Sequence, residues 1–154
     1  VTRKITSTLA KISLGKEKYL ELGNLEAKRD WGYAGDYVVA MHKILNHKKP
    51  DDYVVASGET YSVREFVEKS CEYLNIEIIW KNKGIKEIGI NKKTKKTIIK
   101  INKKFYRPAE VDYLIGDYTK IKKVTGWKPS VKFNQLVKMM VEDDLKNLTW
   151  LVKY

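Results

Sequence analysis

Apolar residues recur at helical spacing over residues 2–14, at Ile5, Leu9 and Ile12, which predicts a helix with Gly15 as its stop. Residues 18–22 alternate and predict a short strand that ends at Gly23-Asn24. Residues 25–35 carry no period and read as a charged, aromatic loop. Asp36 is placed to cap a helix over 37–46 whose core face is Val38, Met41 and Leu45. The apolar run 53–56 predicts a buried strand. Ser62 and Glu65 have capping-box spacing ahead of a helix over 63–74, with Phe66, Val67, Ser70, Cys71 and Leu74 inward. Residues 76–80 predict a strand, and 85–90 with 97–101 predict a hairpin around the polar tip 91–96. Asp117 is placed to cap a helix over 118–124 closed by Gly126. The last helix spans 133–148, with Phe133, Leu136, Val137, Met140, Val141 and Leu145 as an apolar stripe. The order of elements is that of a small mixed α/β fold.

Charge changes this picture less than its size suggests. The formal net charge is +12 over 154 residues, but residues 81–104 alone hold ten lysines against one glutamate. No arginine lies in that run, and only Trp80 and Phe105 flank it, so it lacks the guanine readers and stacking platforms of a nucleic-acid surface. A solvated hairpin with a charged tip that resists edge pairing is the simpler reading, and nucleic acid is not the expected partner. Cys71 is the single cysteine and lies on the inward face of its helix, which predicts a buried, inert thiol. His42 and His47 have no carboxylate or cysteine cluster at ligand spacing, so no metal site is expected. The opening residues lack an apolar signal region, and no run reaches the ~18 apolar residues of a membrane span. A soluble cytoplasmic chain, one piece of something longer, is the expectation.

The segment 105–112 concentrates the candidate chemistry. Pro108 restricts its own backbone and biases Arg107 towards an extended conformation, presenting a guanidinium suited to a bidentate grip on phosphate. Glu110 could accept ribose hydroxyls, although an internal Arg–Glu pair on a surface turn is the plainer alternative. There is no Gly-x-Gly-x-x-Gly after a strand, no P-loop, no Tyr-x-x-x-Lys pair and no recognisable triad. The chain offers groups for binding an anion without an evident acid, base or nucleophile set.

A series of motifs then resembles one family in order and at matching spacing. It comprises Val1-Thr2-Arg3-Lys4-Ile5, Leu22-Gly23-Asn24-Leu25-Glu26-Ala27-Lys28-Arg29-Asp30-Trp31-Gly32, Ser62-Val63-Arg64-Glu65-Phe66, Arg107-Pro108-Ala109-Glu110-Val111-Asp112 and Gly126-Trp127-Lys128-Pro129. The chain is similar to the GDP-mannose 4,6-dehydratase family of extended short-chain dehydrogenase/reductases. The resemblance implies that residues 1–154 are the C-terminal sugar-nucleotide-binding region, a substrate lobe without the N-terminal Rossmann core. It implies that the NADP loop and the catalytic Thr/Ser, Glu, Tyr and Lys of the family lie ahead of Val1. Lys4 matches the family's lysine near guanine, and Leu22, Gly23 and Asn24 match the loop bordering the base. Arg29 and Arg107 match two arginines on the diphosphate, and Glu110 matches the carboxylate on the ribose. No residue of this chain is expected to be catalytic. The partners implied are GDP-mannose, the NADP-binding half and further copies of the complete enzyme. Asp30 and Asp36 are expected to order the aromatic loop or cap a helix, and Arg3 and Arg64 to be structural or exposed. A lobe of this kind should carry an apolar docking face, with the helices beginning near Thr2 and Asp36 as candidates. Two alternatives remain: a lobe of another sugar-nucleotide epimerase or dehydratase, and a basic non-enzymatic nucleic-acid-binding domain.

Overall fold

The computed structural model of the chain describes residues 1–106 and 111–150. In chain order the elements are α1 (Thr2–Ser13), β1 (Leu20–Leu22), β2 (Lys28–Arg29), α2 (Ala34–Leu45), β3 (Tyr61–Ser62), α3 (Val63–Tyr73), β4 (Ile78–Lys81), β5 (Ile88–Asn91), β6 (Thr97–Ile101), α4 (Thr119–Thr125) and α5 (Phe133–Trp150). Short 3-10 turns occupy Gly84–Lys86 and Lys103–Phe105. The chain divides into two compact units, one built from residues 1–27, 62–110 and 137–154, the other from residues 28–61 and 111–136.

The first unit is a four-stranded sheet in the order β1-β6-β5-β4. β5 runs antiparallel to both neighbours, as the predicted hairpin requires, while β1 joins parallel to β6 with Leu20 opposite Ile99 and Leu22 opposite Ile101. Ile5 and Leu9 of α1 and Phe66, Val67 and Cys71 of α3 are fully buried, and α1 packs on α3. This occupies the apolar face of α1, which the sequence reading had offered as a docking face. The capping box is present in full: Ser62 Oγ accepts from the Glu65 amide at 3.1 Å, and the Ser62 amide donates to Glu65 Oε2 at 2.6 Å. At the hairpin tip Asn91 Oδ1 accepts from the amides of Lys93 and Thr94, and Lys95 turns the chain with φ +59°. On α5, Asp144 is buried against the guanidinium of Arg3, 3.0 Å away, so Arg3, expected to be structural or exposed, is an exposed residue with a structural partner.

The second unit gathers around Ala40, Ile121 and Trp127, with Tyr37, Ile44, Tyr53, Val55 and Tyr118 packed against them. Trp127 Nε1 donates to the backbone carbonyl of Asp36 at 2.9 Å, which satisfies the indole inside the core. α4 ends as predicted at Gly126, whose φ of +69° suits a residue without a Cβ. Asp117 Oδ1 accepts from the amide of Thr119 at 2.8 Å, just ahead of that helix.

Three expectations about this unit are corrected. α2 starts at Ala34 with Tyr33 as its cap, so Asp36 lies in the first turn instead of before it. Its carboxylate is engaged elsewhere, accepting from Ser130 Oγ at 2.5 Å, the Ser130 amide at 2.9 Å and the Val131 amide at 3.1 Å. The core face of α2 is also different. Ala40 is buried, Tyr37 and Ile44 pack beside it, and the expected core residues Val38, Met41 and Leu45 are 63%, 58% and 84% exposed. The helix has two apolar faces, and the aromatic cluster around Trp127 takes the one that carries Tyr37. Finally, residues 53–56 form no strand. Tyr53 and Val55 turn into the cluster and Val54 stays 54% exposed, so the segment alternates as an extended chain without ladder partners.

Candidate functional site

In the first unit the end of β1 brings several of the predicted binding residues to one place. Leu22 is buried and its carbonyl accepts from the Asn102 amide at 2.8 Å. Any contact it offers a ligand must therefore come from backbone, since its side chain is core. Gly23 follows with no room for a side chain: an added Cβ would overlap the carbonyl oxygen of Phe105 and stand 2.7 Å from its carbonyl carbon. Asn24 Oδ1 accepts from the Glu26 amide at 2.9 Å, an Asx turn that bends the chain away from the sheet. Lys4, exposed on α1, places Nζ 3.6 Å from the centroid of the Phe105 ring. Phe105 is thus the point on which Lys4 and Gly23 converge, and its role was not foreseen from the sequence.

Beside this loop lies a cleft of about 580 Å³ bordered by Asn24, Glu26, Arg64, Trp80, Glu87 and Tyr106, among others. The guanidinium of Arg64 lies over the Trp80 ring, 4.6 Å from its centroid, and pairs with both Glu26 and Glu87. Burial alone would lower the pKa of Arg64, but the hydrogen bonds to Glu87 and Glu26 outweigh it and hold the group above its ordinary value. Arg64 is therefore a fixed wall of the cleft. Trp80 in turn is anchored through Nε1 to Glu68 Oε1 at 2.7 Å.

Arg29 belongs to the second unit, at the end of β2. Its Nη1 donates to the carbonyls of Lys28 and Val111, at 2.7 and 2.6 Å. The next residue, Asp30, organises the surrounding loops: its carboxylate accepts from the amides of Ser57 at 2.8 Å, Gly58 at 3.0 Å and Gly116 at 3.1 Å. Close packing supports that junction, since a Cβ at Gly116 would overlap that of Ala56 and one at Gly58 would stand 2.7 Å from the Tyr118 ring. This agrees with the expectation that Asp30 orders the aromatic loop. Trp31, Tyr61 and Phe133 complete it, with Tyr61 stacked on Phe133 at a centroid distance of 3.8 Å. Arg107 and Glu110 lie outside the described residues.

The described residues do not form a dinucleotide cradle. β1 leads through Gly23-Asn24 into a turn, not into a helix whose amides could receive a pyrophosphate. The Cys71 thiol, fully buried, is pushed up to about 12 and is no nucleophile. What the arrangement provides is an exposed ammonium, a glycine-bared backbone and an aromatic-walled cleft, which are means of binding.

Solved enzymes share the fold of this chain. The structure of RMD from Pseudomonas aeruginosa complexed with NADPH matches with a TM-score of 0.75 at 21% identity, over 95% of this chain and 42% of that one. dTDP-glucose 4,6-dehydratase from Bacillus anthracis, in complex with NAD, matches with a TM-score of 0.65 at 19% identity, over 92% and 39%. The fold is that of one part of the extended short-chain dehydrogenase/reductases. The family model described as GDP-mannose 4,6 dehydratase matches residues 1–140, and the chain belongs to that family. It is 50% identical over 146 residues to GDP-mannose 4,6 dehydratase of Homo sapiens, covering 95% of this chain and 39% of the relative. It is 51% identical over 146 residues to that of Dictyostelium discoideum, covering 95% and 41%. The chain thus spans about two fifths of the length of the curated relatives it matches.

Proposed function

We propose that this chain is the substrate-binding portion of a GDP-mannose 4,6-dehydratase, a lyase that converts GDP-mannose to GDP-4-keto-6-deoxymannose and water. The observation that carries the reading is identity at half of 146 positions to an enzyme of that name. In this reading Lys4 and the backbone of Leu22, Gly23 and Asn24 border the guanine, Arg29 and Arg107 clamp the diphosphate, and Glu110 takes the ribose hydroxyls. The convergence of Lys4 and Gly23 on Phe105 supports the first of these assignments. Two guanidinium groups from separate loops suit a diphosphate, whose charge and acceptor oxygens favour bidentate donors. NADP, which would take up a hydride from the substrate and return it, is held by the remainder of the enzyme in this reading, so this chain contributes binding and orientation. The complete enzyme is a cytoplasmic homo-oligomer in this reading.

The experiment is a calorimetric titration of a chimera in which this chain replaces the matched segment of the Homo sapiens relative. GDP-mannose should bind at least tenfold more tightly than UDP-mannose, which differs from it in the base alone, about 1.4 kcal/mol of discrimination at the base. Equal affinity for the two would reject the guanine assignment, and binding of neither would reject the reading as a whole.

A further inference from the structure

Lys18 and Tyr19 lie just ahead of β1, and the parallel pairing of that strand with β6 brings them beside Thr97, Ile98 and Lys100. With Ile12 from the end of α1 they border a concavity of about 750 Å³. It shares no lining residue with the cleft beside Asn24. Its chemistry is one-sided. Lys18, Lys96 and Lys100 line it against a single carboxylate, that of Glu17. None of the three lysines forms an ion pair among the described residues. Lys100 instead places its Nζ 3.9 Å from the centroid of the Tyr19 ring. Asn91 also borders the concavity. Its Oδ1 is taken by the amides of Lys93 and Thr94, at 3.0 Å each, which leaves the side-chain nitrogen to donate. The lining thus combines positive charge and hydrogen-bond donors with an apolar component, Ile98 being 3% exposed.

We infer that this concavity is a binding site for a diphosphate group, free or carried on a nucleoside. A solvated lysine face spreads its ammonium groups into water, where each is hydrated and screened. Here a concave, partly apolar wall gathers three of them and focuses their potential on the space between. Like charges drawn together repel, and an anion entering between them relieves that repulsion. Phosphoryl oxygens accept charge-assisted hydrogen bonds, so they suit a lining rich in donors. The number of ammonium groups sets the class, since three match the charge of a diphosphate better than that of a single carboxylate. The size agrees: 750 Å³ leaves room for a group attached to the diphosphate. None of these residues is among those assigned to GDP-mannose, so the site stands or falls apart from the substrate reading.

The test is a lysine footprint. The 154-residue chain and its chimera with the Homo sapiens relative are acetylated with an N-hydroxysuccinimide ester and mapped by mass spectrometry, with ionic strength held constant by sodium chloride. Pyrophosphate and ADP are the probes, ADP lacking the guanine that would draw it to the loop read as base-binding. At about 1 mM pyrophosphate, acetylation of Lys18, Lys96 and Lys100 should slow about threefold, as for a Kd of about 0.5 mM, while Lys93 on the hairpin tip keeps its rate. Equal protection by ADP assigns the site to a diphosphate carried on a nucleoside, and protection by pyrophosphate alone assigns it to the free anion. Lys100→Gln should remove the protection of Lys18 and Lys96, and Lys18→Gln, at an exposed position, that of Lys96 and Lys100. Lys93→Gln should leave all three protected. Cys71, fully buried, stays unreactive towards maleimide in each folded protein. Unchanged rates at the three lysines in folded protein would overturn the inference. Slowing of Lys93 to the same degree would do so too, because it marks a diffuse effect of charge. So would undiminished protection in both groove variants.

Discussion

Replacing Asp36 with alanine removes the acceptor shared by the Ser130 amide, Ser130 Oγ and the Val131 amide, at 2.9, 2.5 and 3.1 Å. A hydrogen bond to a charged group contributes about 1.5–3 kcal/mol net, and three that share one carboxylate are not additive. Ser130 is exposed and water can replace part of what it loses. The expected cost is about 2–3 kcal/mol, with Asp36→Asn losing roughly half as much because one acceptor oxygen survives. Urea denaturation followed by the fluorescence of tryptophan, with Trp127 buried in the same unit, measures it. The pH dependence makes the reasoning specific. Burial pushes the Asp36 carboxyl up, but hydrogen bonds from Ser130 Oγ and the amides of Val131 and Ser130 outweigh it and hold it below its ordinary value of 3.8. A carboxyl lowered in the folded state contributes stability that is fully present above the unfolded value and is lost as pH falls through the folded one. The gap between the parent and Asp36→Ala should therefore be constant from about pH 7 to pH 5 and close below about pH 4. A gap as large at about pH 2 as at about pH 7, or a loss under ~0.5 kcal/mol at neutral pH, would refute the account.

Gly23→Ala drives a methyl into the Phe105 carbonyl, a backbone group that cannot rotate away. It should lower stability by about 1–3 kcal/mol in the same denaturation assay and weaken GDP-mannose binding by the chimera, whereas Asn24→Ala should leave stability within ~1 kcal/mol. In that chimera Arg107→Ala should weaken GDP-mannose binding by roughly 2–5 kcal/mol with little effect on NADP; Arg107→Lys should recover part, and Glu110→Gln should cost less. Lys93→Ala and Lys96→Ala should leave binding unchanged in the same titration; a nucleic-acid binder would show the reverse ranking. The purified 154-residue chain with added NADP should not turn over GDP-mannose, and product detected by chromatography would contradict the division of roles proposed here.

Local chemistry was the most legible part of the sequence. The Ser62–Glu65 box, the Gly126 stop and the β5–β6 hairpin each depend on a few neighbouring residues, and each is present as read. The misreading of α2 has a different origin. Periodicity detects an apolar face without saying what will cover it, and a helix with two apolar faces offers two answers. Val38, Met41 and Leu45 formed the more regular stripe, yet Tyr37 and Ile44 pack on Trp127. Residues 53–56 failed as a strand because an apolar run specifies burial, and ladder partners come from elsewhere in the chain. At the candidate site, Lys4 and Gly23 were named from a resemblance, while Phe105 was invisible because its role depends on bringing together residues far apart in sequence. Arg64, expected to be structural or exposed, is structural, held by Glu26 and Glu87.

The parallel pairing of β1 with β6 has a kinetic consequence. β4, β5 and β6 follow one another through short turns, so their pairings close small loops. Leu20–Leu22 must instead find Ile99–Ile101 across most of the first unit's sequence, and loop-closure entropy is spent before that contact returns anything. Loop closure therefore predicts that the three-stranded meander forms first and that β1 docks last on its edge. A φ-value near zero at Leu22, against higher values in β5 and β6, is the expected signature. Because Gly23 and Asn24 hang from the end of β1, the loop read as the base-binding one is the last piece of the sheet to be set and the first released. A bound nucleotide would thus slow unfolding far more than it would speed folding, acting as a latch on the final strand.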